Sequence, residues 1–225
     1  MSLETKYWHL RNHKLFSVMS NRQIEDLCVI LKYKTATKGE IIYFSDDSDK
    51  RIYFLKRGTV KIVEADDNGN EIIKEILHAG DLFGEITLDS NNGSHEFAQA
   101  VSKQVDICSF RLDNFEKVLE ENPSIAFKFT KIVGFRFKKL RNSYANLVFK
   151  DVRERLVTFL KDWAEKEGVR TGDKITLDNY LTQQEIASLV CSSRQTVTQI
   201  LNDLETEGKI AYNRKEIVIQ NILSF

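Results

Sequence analysis

The hydrophobic positions change period along the chain. In residues 1 to about 35 they recur at helical spacing: Leu10, Leu15, Phe16 and Val18, then the stripe Ile24, Leu27, Cys28, Ile30 and Leu31. Ser20-Asn21-Arg22-Gln23 between them has the form of a helix start. From Thr35 to about Phe110 the apolar runs shorten to strand length, at residues 41–44, 52–55, 60–63, 72–77 and 105–108. Turn signals separate them at Lys38-Gly39, Arg57-Gly58, Asp67-Asn68-Gly69-Asn70, Ala79-Gly80-Asp81 and Asn92-Gly93. Many short strands at this spacing predict an antiparallel roll or sandwich, whose interior can hold a small molecule.

The helical period then returns. Asn122-Pro123 predicts a cap followed by proline at the first helical position. The helix should run to about Val148. Ile125, Phe129, Ile132, Leu140 and Leu147 make a near-heptad seam, interrupted by Arg136 and Ser143. Such a seam predicts a dimer; a helix buried along its own domain is the alternative. Asp151 should cap the next helix, Val152 to about Glu167, which ends at Gly168 and buries Leu156, Phe159, Leu160 and Trp163.

Residues 181–204 predict two short helices around a tight turn. Thr182 and Glu185 form a capping box. Ile186, Ala187 and Val190 share a face, and Cys191-Ser192 breaks the run. Either Ser192 or Ser193 caps the second helix, which should bury Val197, Ile200, Leu201 and Leu204. Its other face carries Arg194, Gln195, Thr198 and Gln199, with no acid before Asp203. A helix-turn-helix needs this arrangement: one helix braces and the other enters the major groove. There Arg can hold guanine and Gln adenine. After Gly208, residues 209–212 and 216–219 around Asn213-Arg214-Lys215 predict a β-hairpin, which completes a winged helix. Arg214 and Lys215 at its tip are either phosphate contacts or solvated turn residues. The candidate DNA-binding set is Thr182, Gln183, Gln184, Ser193, Arg194, Gln195, Thr196, Thr198, Gln199, Arg214 and Lys215.

Charge adds one local feature. Lys and Arg total 33, as do Asp and Glu, so the formal net charge is zero and any basic patch must be local. From Lys128 to Lys150 there is no Asp or Glu among seven basic residues. This run could repel across a dimer unless it points outward, bind an anionic effector, or pair with acids of the roll. No apolar run is long enough to span a membrane and no leader pattern opens the chain, so a cytoplasmic protein with no membrane partner is expected. Cys28, Cys108 and Cys191 lie far apart and read as small buried hydrophobes. His9 and His13 sit four apart with no further ligand nearby, so no metal is expected. The chain has no P-loop, no GxSxG and no nucleophile–base set, so no enzyme is expected.

A sensory β-roll, a long central helix and a winged helix, in that order, resemble the cyclic-AMP receptor protein/FNR (Crp/Fnr) family of bacterial transcription regulators. Five segments carry the likeness: Ile52-Tyr53-Phe54-Leu55-Lys56-Arg57-Gly58-Thr59-Val60; Gly80-Asp81-Leu82-Phe83-Gly84-Glu85; Glu121-Asn122-Pro123; Ala145-Asn146-Leu147-Val148-Phe149-Lys150-Asp151-Val152; and Thr182 to Ala187 through Ser193-Arg194-Gln195-Thr196-Val197. The resemblance implies an α+β fold. A cyclic-nucleotide-binding-like roll and its N-terminal helices would fill 1–122, a dimerisation helix 123–150, and a winged-helix DNA-binding domain 151–225. It implies a homodimer on a near-palindromic DNA duplex, a small-molecule effector in the roll, a hinge around Phe149-Lys150-Asp151, and RNA polymerase as partner if the protein activates. Arg194 stands where the family reads guanine. Gln195 replaces the glutamate usual in the cyclic-AMP branch and Gln199 an arginine, so a different half-site is expected.

The effector-binding pattern departs from the family. Where the cyclic-AMP branch holds the cyclic phosphate with Arg-Ser, this chain has His95-Glu96, and a carboxylate there would repel phosphate. Leu140-Arg141 replaces the Thr-Ser pair that reads adenine. Cyclic AMP in its usual pose is therefore not expected. Clustered N-terminal cysteines for an iron–sulfur centre are missing. For haem, His78 and His95 are candidates by residue type alone. The pocket should be lined by Phe83, Gly84, Glu85, Ile86, His95, Glu96, Arg136 and Leu140. Arg136 there is either a salt-bridge partner or the anchor of a carboxylate or phosphate. Two alternatives stay open: a sensor acting through protein partners, and a regulator whose pocket is filled by its own side chains.

Overall fold

The computed structural model describes residues 3–45, 47–66, 69, 71–84, 95–222 and 225. It forms two compact units, Met1–Phe137 and Lys138–Phe225. The first opens with helix α1 (Leu3–Arg11), a 3-10 turn (Phe16–Val18) and helix α2 (Asn21–Ile30). Ser20 caps α2: its hydroxyl accepts from the Gln23 amide, and the Gln23 side chain accepts from the Ser20 amide.

Eight strands follow: β1 (Lys32–Thr37), β2 (Ile41–Phe44), β3 (Arg51–Arg57), β4 (Val60–Ala65), β5 (Glu71–Leu77), β6 (Leu82–Gly84), β7 (His95–Ala100) and β8 (Gln104–Arg111). They build two antiparallel sheets, ordered β1-β8-β3-β6 and β2-β7-β4-β5. The strand period thus begins at Lys32, slightly earlier than the sequence pattern suggested. Strands β1, β6 and β7 were not resolved by that pattern, because β1 is largely polar and β6 has three residues.

The first sheet is covered on both faces. Its inner residues, among them Leu55, Phe83, Val105 and Ile107, meet Ile42, Tyr43, Ile62 and Ala98 of the second sheet. Its outer residues, Ile52, Phe54, Cys108 and Phe110, pack under α1, α2 and helix α3 (Leu112–Glu121). Two-sided burial explains why β3 reads as an unbroken apolar run from Ile52 to Leu55 rather than an alternating one.

Helix α4 (Pro123–Phe149) begins at its proline as expected. Asn122 contributes its carbonyl to the first turn, while its side chain bonds to the Val118 carbonyl and the Gln23 amide nitrogen. The sequence-derived seam is not one face. Ile125 is fully buried in the roll's core, with Phe129 and Ile132 packed against it. The exposed apolar residues at heptad spacing are instead Val133, Phe137, Leu140, Tyr144 and Leu147.

In the second unit, Asp151 and Glu154 form a capping box for helix α5 (Val152–Glu167). Gly168 ends it, but with φ −69°. The glycine is needed for space: a Cβ would strike the Ile175 side chain and the Ala164 carbonyl. A hairpin of β9 (Val169–Thr171) and β10 (Lys174–Asp178), not anticipated from sequence, then precedes helices α6 (Gln183–Leu189) and α7 (Arg194–Thr206). The wing strands β11 (Ile210–Tyr212) and β12 (Glu216–Ile219) join it in one antiparallel sheet, β11-β12-β10-β9.

Candidate nucleic-acid interface and effector site

Thr182 and Glu185 cap α6 reciprocally, at 3.2 and 2.7 Å. Leu189 ends the helix, and Cys191 takes φ +52° to turn the chain. Cys191 is exposed, so only Cys28 and Cys108 fit the expectation of buried hydrophobes. Ser193, not Ser192, caps α7: its hydroxyl accepts from the Thr196 amide at 3.1 Å.

Val197, Ile200, Leu201 and Leu204 of α7 are buried, as the spacing predicted. Arg194, Gln195, Thr196 and Gln199 are exposed on the opposite side. The Thr198 hydroxyl lies 2.7 Å from Gln183 Oε1 and 2.8 Å from the Arg194 carbonyl. It therefore ties α6 to α7 with a single proton to share between two acceptors. The Gln199 amide donates to Asp203 at 2.8 Å. Gln184 is exposed at the start of α6. Arg214 and Lys215 sit exposed in the wing turn, where the Asn213 side chain accepts from the Lys215 and Glu216 amides.

The roll brings some of the pocket candidates together. Phe83 stacks on Tyr53 at 5.1 Å between ring centroids, and Tyr53 stacks on Tyr43 at 5.3 Å. Burial pushes the Tyr53 phenol up to about 12. The Tyr43 hydroxyl donates to Glu96, and Glu96 also pairs with Lys74. Glu96 is thus linked to Phe83 through the aromatic stack. Gly84 holds φ +110°, and a Cβ there would strike the Arg51 carbonyl. Arg136 donates to the Leu82 carbonyl and so lies against β6. His95 is exposed at the start of β7, and Leu140 is 65% exposed on α4. Glu85 and Ile86 lie outside the described residues.

Three members of the basic run, Lys128, Lys131 and Lys150, have described contacts with neutral groups. Lys128 donates to Ser17 Oγ at 2.5 Å, Lys131 sits 4.4 Å from the centre of the Phe127 ring, and Lys150 donates to Thr158 Oγ1 at 2.9 Å.

Two residues outside the candidate set also hold this region. The Arg155 guanidinium donates to the carbonyls of Lys150, Val190 and Cys191. Arg153 grips the Glu207 carboxylate at 2.6 and 2.7 Å. A sequence signal did exist: two arginines in the first turns of a helix run against its dipole, so they need a specific partner.

A two-sheet sensor roll joined to a winged helix-turn-helix with an exposed polar recognition face defines an effector-controlled transcription regulator. The comparisons agree. Residues 33–122 match the cyclic nucleotide-binding domain model, and residues 154–223 the Crp-like helix-turn-helix model. The chain is 32% identical to the global nitrogen regulator of Nostoc sp. over 83% of its length and 84% of the relative's. It is 27% identical to the CRP-like cAMP-activated global transcriptional regulator of Mycobacterium tuberculosis, over 82% of each chain. Among solved structures, a mutant of CooA from Carboxydothermus hydrogenoformans superposes with a TM-score of 0.70 at 26% identity, covering 88% of each chain. The chain belongs to the Crp/Fnr family of transcription regulators. These relatives are regulators, not enzymes.

Proposed function

We propose that the protein is a cytoplasmic homodimer that reads a near-palindromic DNA site with one α7 per half-site. The observation that carries this reading is the division of α7 into a buried apolar face and an exposed face of Arg194, Gln195, Thr196 and Gln199. Arg194, at the first turn, reads guanine O6 and N7, and Gln195 reads adenine. Ser193, Thr182, Gln183 and Gln184 approach the backbone from the N-termini of α6 and α7, where free amides favour phosphate. Thr198 orients Gln183, and Gln199 reaches base edges once released from Asp203. Arg214 and Lys215 hold phosphate at the wing. The roll with its N-terminal helices (1–122) senses, the central helix (123–150) dimerises, and 151–225 reads DNA. An activating complex would also engage RNA polymerase.

The effector enters beside Phe83, Gly84 and Arg136. An anionic small molecule fits this position, because among the described residues Arg136 donates to a backbone carbonyl, a neutral partner that an anion can displace. The Glu96 carboxylate makes the place a poor seat for the cyclic phosphate that the mycobacterial relative's name implies, because the Lys74 ammonium beside it is shared with Glu64 and leaves net negative charge. A second reading has its own support. The Tyr43–Tyr53–Phe83 stack occupies part of the roll interior with the chain's own side chains, as a regulator set by its abundance alone would need.

Substitution separates the roles. Arg194→Ala should cost about 1–3 kcal/mol on the preferred duplex and relax one base position. Arg214→Ala should weaken binding equally on every sequence and lower the salt slope by about one. Quantitative binding to a panel of single-base variants at several salt concentrations reads both. Equal loss on all sequences for Arg194→Ala would make that residue a phosphate contact.

A further inference from the structure

We propose that Arg155, supported by Arg153, is the positioning residue that fixes the recognition helix relative to the end of the central helix. The inference rests on α7 being the DNA-reading helix and α4 the dimer seam. One guanidinium joins three segments. Nη1 donates to the Lys150 carbonyl at 2.8 Å, at the hinge just past α4. Nε donates to the Val190 carbonyl at 2.9 Å, and Nη2 to the Cys191 carbonyl at 3.2 Å. Val190 closes α6, and Cys191 is the described non-glycine residue with positive φ. Both helices thus present a C-terminal carbonyl region, where the dipole favours a cation. The turn between α6 and α7 is therefore tied to the hinge, not only packed near it.

The far end of α7 is tied to the same turn of α5. Glu207 is the C-terminal cap of α7, and Arg153 holds both of its carboxylate oxygens. Lys209 adds a second contact at 2.9 Å. Arg153 and Arg155 follow the Asp151 cap within the first turn of α5, so one short piece of chain holds both the turn leading into the recognition helix and the cap at its far end. A change in direction at Lys150 then reaches α7 as a rigid-body movement. Lysine cannot replace Arg155, because an ammonium is a point charge and lacks the planar fork that spans separated carbonyls.

In a dimer reading two half-sites, a fixed angle between α7 and the seam sets the spacing between half-sites. The full-length protein and its Arg155→Gln and Arg155→Lys variants would be titrated with three kinds of duplex. These are the preferred symmetric site, the same site with one base pair added or removed at its centre, and an isolated half-site. Circular dichroism melts would accompany each. Wild type should favour the native spacing by about tenfold or more. Both Arg155 variants should lose most of that preference while keeping their half-site affinity and fold, and Arg153→Gln should lose part of it. Undiminished spacing preference in a folded Arg155 variant overturns the proposal. Equal loss on the isolated half-site overturns it too, because Arg155 would then merely stabilise the helix-turn-helix. If Arg155→Gln does not fold, Arg155→Lys and Arg153→Gln decide by the same criterion. Wild type that selects no symmetric site sinks the DNA-reading account itself, which is a separate failure.

Discussion

His13 illustrates how much a single side chain can carry here. It is 7% exposed, between the N-terminal helices and the turn at Gly80. Its Nδ1 accepts from the Leu15 amide at 3.2 Å, and its Nε2 lies 3.3 Å from the Gly80 carbonyl. The neutral ring protonated at Nε2 satisfies both. Both ring nitrogens are thus committed to backbone. Burial first, and Lys56 second, pull its pKa down to about 4. The unfolded imidazole takes a proton near 6.5, whereas the folded one resists until about 4. The contribution is therefore complete above pH 6.5 and is lost as pH falls through the window down to 4. Melting temperature measured from pH 7 to 4 should fall more steeply for wild type than for His13→Gln. Parallel curves would mean that His13 contributes nothing to the acid limb. From sequence, His13 stood out only for its spacing from His9; burial made by segments 67 residues apart cannot be read locally.

At the scale of elements, caps were the most legible feature. The boxes Ser20–Gln23, Asp151–Glu154 and Thr182–Glu185 all form, because capping depends on residues three apart and on little else. The choice between Ser192 and Ser193 was open, since both precede polar residues. It is decided by the left-handed Cys191, which moves the helix start one residue on. Ser193→Ala should therefore destabilise the second unit by about 1 kcal/mol in chemical denaturation, against at most about 0.5 for Ser192→Ala. A reversed order would contradict the cap assignment. Gly168→Ala should cost about 1–3 kcal/mol through the clash with Ile175 and the Ala164 carbonyl. The β9–β10 hairpin escaped notice although Ile175 and Leu177 alternate with polar neighbours. Two buried residues beside an exposed three-residue strand make a weak signal. Tyr43 and Tyr53 read as strand residues, but the stack of Phe83 on Tyr53 and Tyr53 on Tyr43 depends on how three strands of two sheets meet.

For the whole molecule, the central helix holds the main correction. A helix apolar on more than one face offers several stripes to a periodicity argument. The sequence stripe mixed the roll-facing residues Ile125, Phe129 and Ile132 with the exposed residues Leu140 and Leu147. Val133, Phe137, Leu140, Tyr144 and Leu147 step by four and three residues, and each is between 43% and 68% exposed. That spacing suits a coiled-coil partner. Introducing Leu140→Glu and Tyr144→Glu together should give a folded monomer in sedimentation velocity. A surviving dimer would move the interface elsewhere. The order of sensor, long helix and winged helix was readable because each part has its own period and its own turn chemistry.

The most direct test is selection from a random duplex pool by the full-length protein at moderate salt, with and without added metabolite extract. A two-fold symmetric motif should emerge in at least one arm, with half-sites about one helical turn apart. Guanine should stand opposite Arg194 and adenine opposite Gln195. Binding that is salt-sensitive and indifferent to sequence in every arm would contradict the account of α7 as a recognition helix.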